Sequence, residues 1–178
     1  MVAASAAREG CEFCDGPLFV DRSRAVSTLV AAPPDVLYGL VSDVTRTGEW
    51  SPVCRDCWWD EGAGPRVGDW FTGRNETPDR VWETRSQVVA ADPGREFAFL
   101  VHGKYARWGY TMEPHGDRTV LTESWEFRPA GIELFHNRYG AEAHEQLAER
   151  ARQASEGIPA SLRAIRALAE GSVGAVTG

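Results

Sequence analysis

The sequence has no cluster of positive charge. Its 19 lysines and arginines are scattered along 178 residues, and the net charge is −7 at pH 7. Binding to the nucleic-acid backbone or to an anionic membrane surface needs concentrated positive charge. We therefore expect no nucleic-acid partner, and the acidic balance favours a neutral or weakly charged ligand.

Long apolar runs are also missing. No stretch is long enough to cross a bilayer, so we expect no membrane insertion. Residues 1–10 lack the apolar segment of a signal peptide. We expect a cytoplasmic protein, a compartment in which thiols usually stay reduced.

The common nucleotide and nucleophile motifs are absent as well. There is no phosphate-binding loop, dinucleotide fingerprint or nucleophile elbow. Gly62-Ala63-Gly64 precedes Pro65 and opens no helix, so it is predicted to be a turn. The sequence therefore indicates no required cofactor, and nothing in it predicts an oligomeric state.

Aromatic residues, in contrast, are abundant. The chain has seven tryptophans, seven phenylalanines and four tyrosines. Rings of this size either fill a core or line a pocket. The length allows one domain with a real core, and we divide the chain into an irregular N-terminal extension (1–22), a main domain (23–170) and a flexible tail (171–178).

Hydrophobic periodicity predicts the order of elements. A strand at 24–30 is followed by two short helices, the first beginning at Pro34. From residue 55 the period is two, and the links are short enough for antiparallel hairpins. The predicted strands are 55–60, 67–76, 80–91, 95–103, 105–114 and 118–127.

The final segment has an apolar face that includes Leu147, Ile158 and Leu168, which predicts a long helix after a link at 129–140. We expect Gly157-Ile158-Pro159 to kink or break it. The fold class is therefore α+β, a curved antiparallel sheet of about seven strands around one long C-terminal helix. A gap between sheet and helix is a natural ligand cavity.

Several segments resemble a known superfamily. They are 32–38, 41–43, 48–52, 67–75, 107–110 and 121–125. These are similar to the helix-grip superfamily, also called START-like or SRPBCC, and to actinobacterial members of its polyketide cyclase/dehydrase group. The resemblance implies a cavity for lipids, sterols, hormones or polyketides. Some members cyclise or dehydrate polyketide chains, and some relatives in antibiotic clusters protect the producer. The N-terminal extension departs from this pattern.

Strand alternation predicts which side chains face the cavity, although a shift of one residue would reverse any strand. The predicted concave-face residues are Phe71, Asn75, Trp82, Phe97, Phe99, Trp108, Tyr110, Glu123 and Trp125. Trp50, in the linker after the short helices, is expected to gate the entrance. For any single ring a core role is the simpler interpretation, but the collection on one face favours a pocket.

Two polar residues lie among these rings, Asn75 and Glu123. Burying an unpartnered polar group costs about 1–3 kcal/mol, and a bare carboxylate more. We expect them to pair with each other, with water, with Arg74 or Arg107, or with a ligand. In the functional interpretation, burial raises the pKa of Glu123, which acts as a general acid or base while Asn75 and Tyr110 orient a ligand oxygen.

The four cysteines form two CxxC pairs, Cys11 with Cys14 and Cys54 with Cys57. Paired CxxC motifs are typical of structural zinc, and a four-thiolate site would attach the extension to the main domain. The alternatives are reduced thiols and disulfides within or between the pairs. Four thiolates would close the coordination shell, so the zinc would not be catalytic.

Three functional classes follow. The first is binding of a hydrophobic, aromatic or polyketide-like molecule, for sequestration, transport or self-protection. The second is a polyketide aromatase/cyclase or dehydratase that uses the same cavity. The third is a protein–protein adaptor that uses the N-terminal extension or the zinc-like cysteine cluster as its interface.

Overall fold

The structure of the protein is a computed structural model that describes residues 22–176. Most of the N-terminal extension, including Cys11 and Cys14, lies outside this range. The described residues form seven antiparallel strands and three α-helices, which confirms the predicted α+β class. No helix within 22–176 is both long enough and apolar enough to cross a membrane.

The seven strands form one sheet in the order β1-β7-β6-β5-β4-β3-β2. Their bounds are β1 Ser23–Val30, β2 Cys54–Trp59, β3 Trp70–Thr77, β4 Arg80–Asp92, β5 Glu96–Val101, β6 Ala106–His115 and β7 Arg118–Phe127. All neighbours pair antiparallel, as the short links require. Strands β2 to β7 form a meander, and β1 closes against β7.

The connection between β1 and β2 contains the two predicted short helices. Helix α1 covers Pro34–Ser42, with its proline in the first turn, where a missing N–H costs nothing. A 3-10 helix follows at Val44–Glu49, and the Asp43 carboxylate caps it by accepting from the Thr45 N–H at 3.2 Å. This connection takes the chain from one edge of the sheet to the other.

Helix α2, Pro129–Tyr139, replaces the link that was predicted there. It begins with a proline in the first turn and packs against the core through Ile132 and Phe135. At Gly131 a Cβ atom would lie 2.2 Å from the Tyr105 carbonyl oxygen, so this close approach requires glycine.

Helix α3, Ala143–Val176, continues through Pro159, so of the predicted kink or break the break does not occur. A proline inside a helix costs about 3 kcal/mol. Its neighbours Ile158 and Leu162 are almost completely buried, and burying each such side chain returns about 1.5–3 kcal/mol. The helix also includes residues 171–176 of the predicted tail.

The predicted apolar face of α3 covers the sheet. Its buried members are Leu147, Ala151, Ala154, Ile158, Leu162, Ile165 and Ala169. The helix contacts β1 and β7, while α1 contacts β5, β6 and β7. Strands β2, β3 and β4 pack less closely against α1 and α3.

Candidate functional site

A cavity of about 600 Å³ lies between the concave face of the sheet and helices α2 and α3. Every strand from β2 to β7 contributes to its wall, as does the segment Thr47–Cys54. Its aromatic lining residues are Phe71, Trp82, Phe99, Tyr105, Trp108, Tyr110, Trp125, Phe127, Phe135 and Tyr139.

Part of the α3 surface that faces these rings carries small side chains. Ala154, Gly157 and Ser161 line the cavity, alongside Ile158. Protein interiors are normally packed without voids larger than a water molecule. A gap of this size under a complete sheet is therefore a feature of the fold and has the dimensions of a ligand site.

Tilted and edge-on ring contacts fix the orientation of the wall. Trp108 and Trp125 lie 6.4 Å apart between centroids, Trp125 and Phe127 4.7 Å, and Phe127 and Phe135 5.6 Å. Such pairs add about 0.5–1.5 kcal/mol each to the energy of burial. The rings therefore form a continuous surface from β6 and β7 to α2 that is already organised before a ligand binds.

Most of the residues that strand parity assigned to the concave face line the cavity. Those that line the cavity are Phe71, Asn75, Trp82, Phe99, Trp108, Tyr110, Glu123 and Trp125.

Two predicted residues occupy the core instead. Phe97 is fully buried and meets Tyr38 of α1 edge-on at 6.5 Å, because α1 covers that end of β5. Trp50 was expected at the entrance but is 5% exposed and packs in the core.

Glu123 and Tyr110 form a buried pair in the wall. They lie directly opposite each other on β7 and β6, so their side chains meet on one face. The Tyr110 hydroxyl donates to Glu123 Oε1 at 3.2 Å. Among the described residues, Glu123 Oε2 has no hydrogen-bond partner although it is buried. The partner of Glu123 is thus a tyrosine, and neither Asn75, Arg74 nor Arg107 fills that position.

Burial raises the pKa of Glu123 to about 8, and the hydrogen bond from Tyr110 opposes only part of that rise. The protonated, neutral carboxyl group is therefore the predominant form at pH 7, with a proton available for donation. Burial also raises the pKa of Tyr110, so its hydroxyl remains a donor. The Trp50 indole N–H lies near this hydroxyl and opposes the rise of its pKa. Within the described chain, this N–H has no partner in hydrogen-bonding geometry.

Asn75 is held by its own strands. Its Nδ2 donates to Thr84 Oγ1 at 3.1 Å and to the Gly73 carbonyl at 3.2 Å. These bonds satisfy both amide protons. The side chain is therefore fixed in the wall without help from a ligand.

A β-bulge brings the two described cysteines together. In a regular strand, positions three apart point to opposite faces, but the register of β2 on β3 shifts between Cys54 and Asp56. Cys54 Sγ and Cys57 Sγ consequently lie 3.4 Å apart, over Gly73, and neither forms a disulfide within residues 22–176. The hydrogen bond with Cys57, followed by burial, raises the pKa of Cys54.

Within the described range, no group of three or more His, Cys, Asp or Glu side chains is arranged to hold a metal ion. Cys11 and Cys14 lie outside that range, so the four-cysteine zinc site stays a prediction. Both described thiols line the cavity, so the extension would have to reach the cavity wall to complete the site. Comparison of native and denatured masses of the full chain would detect the ion.

Sequence reasoning missed the part of the wall that comes from α2. Phe135, Arg138 and Tyr139 belong to that helix, which was predicted as a link. Ile132 and Phe135, spaced by three residues after Pro129, are the signal that indicates a helix there. Arg80 and Arg150 were also missed, because charged residues on a hairpin and on a helix normally face solvent.

A family model described as polyketide cyclase/dehydrase and lipid transport matches residues 23–170. No curated protein sequence matches the chain.

Among solved structures, the chain is similar to the Polyketide_cyc-like protein Cgl2372 from Corynebacterium glutamicum. The two are 50% identical, with a TM-score of 0.64 over 85% of this chain and 93% of the other.

Two aromatase/cyclases share the fold at lower identity. The di-domain ARO/CYC StfQ from the steffimycin biosynthetic pathway is 18% identical, with a TM-score of 0.63 over 86% of this chain and 52% of StfQ. The Zhui aromatase/cyclase from Streptomyces sp. R1128 is 19% identical, with a TM-score of 0.60 over 85% and 95% of the two chains. At this identity the likeness shows the fold alone.

Proposed function

Because this chain belongs to the polyketide cyclase/dehydrase and lipid transport family, we propose that it binds a hydrophobic, aromatic or polyketide-like small molecule in the cavity. The resemblance to the helix-grip superfamily is confirmed by the same match. Sequestration, transport and self-protection of the cell all require only such binding.

The observation that carries this proposal is the aromatic-lined space of about 600 Å³. Ligand pockets in proteins range from about 300 to 1,000 Å³ and are lined mostly by apolar and aromatic side chains with few polar groups. Flat rings of a ligand stack on or meet edge-on the flat rings of the wall. The preset ring contacts reduce the entropy lost on binding.

The pair Tyr110–Glu123 supplies polarity where the wall is otherwise apolar. A protonated carboxyl group donates one hydrogen bond and still accepts others. Because Glu123 Oε2 has no partner among the described residues, it supports recognition of a carbonyl or hydroxyl oxygen on the ligand. Both amide protons of Asn75 are already used, so its Oδ1 would accept a hydrogen bond from a ligand hydroxyl group.

Direct titration tests the proposal, with 1,8-dihydroxyanthraquinone as the probe and calorimetry as the readout. Ser161→Phe places a ring in the cavity and should abolish binding. Ser155→Phe adds the same ring on α3 at a position that does not line the cavity, and should leave binding unchanged. Equal affinities for the two variants would contradict cavity binding.

Catalysis by an aromatase/cyclase or dehydratase is the second candidate, and the protonation of Glu123 favours it. A general acid or base works best when its pKa lies near the working pH, and the pKa of Glu123 is about 8. The cavity would fold a flexible chain into a reactive conformer, and Glu123 would protonate a departing hydroxyl group or an enolate oxygen.

A turnover assay with a synthetic poly-β-ketone thioester separates the two candidates. An enzyme would release a cyclised or dehydrated product, and Glu123→Gln would lower kcat while the probe still binds. A protein that only binds would release the thioester unchanged, whether residue 123 is glutamate or glutamine.

A further inference from the structure

Three arginines line the same cavity. Arg80 begins β4, Arg138 lies near the end of α2, and Arg150 lies in the first third of α3. Arg80 and Arg138 are exposed and Arg150 is half-buried. The chain thus brings together, from three distant segments, positive charges that the sequence shows only as scattered.

None of the three forms a salt bridge with the described part of the chain. Apart from the neutral Glu123, the acidic residue that lines the cavity with them is Glu83. The balance there is positive, three charges against one, although the whole chain carries −7.

Arg150 shows most clearly that a counter-charge is missing. Its Nη1 donates to the neutral amide oxygen of Gln153 at 3.1 Å. Its sequence neighbour Glu149 forms a salt bridge with Arg152 at 2.7 Å and acts on Arg150 only as a weaker, opposing influence on its pKa. Burial, followed by repulsion from Arg80, lowers the pKa of Arg150. A half-buried cation without an acidic partner is costly unless something else supplies the negative charge.

The other two guanidinium groups are held against the aromatic wall. Arg80 lies 3.9 Å from the centroid of the Trp82 ring, and Arg138 lies 5.4 Å from that of Tyr139. Cation–π contacts of this kind fix the position of the charge while leaving the guanidinium N–H groups free to donate.

We infer that the ligand of this cavity carries an anionic group, a carboxylate or a phosphate, beside its apolar body, and that Arg80, Arg138 and Arg150 bind that group. Guanidinium forks match the paired oxygens of both groups. This inference rests on the proposed function, since it specifies the ligand of the same cavity. It departs from the expectation of a neutral or weakly charged ligand, which rested on net charge alone.

Two fluorescent probes with one aromatic body test the inference. The probe 8-anilinonaphthalene-1-sulfonate differs from N-phenyl-1-naphthylamine by its sulfonate, so the ratio of their affinities isolates the anion. We expect Arg150→Gln to lower that ratio by about tenfold, with smaller losses for Arg80→Gln and Arg138→Gln. Arg163→Gln, on the exposed surface of α3 and away from the cavity, removes an equal charge and should leave the ratio unchanged.

Competition against bound 8-anilinonaphthalene-1-sulfonate then distinguishes a carboxylate from a phosphate. We expect 1-naphthoate or 1-naphthyl phosphate to compete at least about tenfold better than neutral 1-naphthol, and the stronger competitor names the group. An unchanged ratio in all three cavity variants, or equal competition by 1-naphthol, would overturn the inference. If the neutral probe binds and the sulfonate probe binds no more tightly, the anion site is refuted and the proposed function stands. If neither probe binds, the proposed function fails with it.

Discussion

Two regions of one helix and one sheet differ in how they pack. From Leu162 to Ala169, α3 lies directly on β1 and β7, where Val30 and Leu121 are fully buried. From Arg150 to Ser161, the same helix faces the aromatic cavity. We call these the solid region and the hollow region.

The difference lies in side-chain size on α3. Leu162 and Ile165 fill the solid region, whereas Ala154, Gly157 and Ser161 leave the hollow region open. Stability and binding are therefore supplied by different residues of one element. Substitutions in the solid region should mainly lower stability, whereas substitutions in the hollow region should mainly lower ligand affinity.

The largest effect is expected in the solid region. Ile165 is fully buried, and Ile165→Ala would remove contacts that the packed surroundings cannot replace. We expect the free energy of unfolding to fall by about 2–5 kcal/mol, measured by urea denaturation. Affinity for the anthraquinone probe should not change in the folded fraction. A loss of affinity without a loss of stability would remove the distinction between the regions.

The second effect is pH-dependent and comes from the wall of the hollow region. Burial raises the pKa of Glu123 from 4.5 to about 8, so the folded state favours the protonated form. This contribution to stability is fully present below pH 4.5 and is lost as the pH rises through 8. Between these values, the free energy of unfolding should decline by up to about 1.4 kcal/mol per pH unit.

Glu123→Gln is the matched control for that slope, because the amide is similar in shape and does not titrate in this range. The variant should unfold at nearly the same urea concentration at pH 5 and pH 8. An equal decline in both proteins would assign the pH dependence to other groups.

A smaller change in stability is expected when a ring of the cavity wall is removed. Trp108→Ala enlarges a space that already exists, so it should cost less than the about 3–5 kcal/mol typical of tryptophan in a closed core. Its affinity for the anthraquinone probe should fall about tenfold, as measured by calorimetry. If this variant were as unstable as Ile165→Ala, the hollow region would contribute as much to the free energy of unfolding as the solid region does.

The smallest effect is expected at Asn75. Asn75→Ala removes two hydrogen bonds from a half-buried side chain, to Thr84 and to the Gly73 carbonyl. We expect a loss of about 1 kcal/mol in thermal or urea unfolding. The double variant with Thr84→Val should lose little more, because the partner hydroxyl is removed as well.

Sequence periodicity predicted the sheet and most of its concave face, since alternation fixes the side on which each residue lies. It could not predict which residues of that face are buried under a helix and which line the cavity. Phe97 and Phe99 share a face, yet α1 covers the first while the second lines the cavity. The position of a helix over the sheet decides this, and no local pattern encodes it.

Local rules failed where tertiary packing supplied the energy. Pro159 normally ends a helix, but the buried neighbours of α3 stabilise it there. The residues of α2 carry a weak apolar pattern, and the helix is held by its contact with Tyr105 and the aromatic wall. The bulge that brings Cys54 and Cys57 to one face is likewise set by pairing with β3.

The connection from Val30 to Cys54 has a consequence for ligand size. Strands β1 and β2 are consecutive in the chain yet form the two opposite edges of the sheet. The α1 connection therefore acts as a tether of fixed length across the width of a curved surface. A few inserted residues there would let the edges move apart and flatten the arc. The size of the largest ligand would then change without any substitution in the wall. Cavity size could thus evolve independently of the residues that contact the ligand.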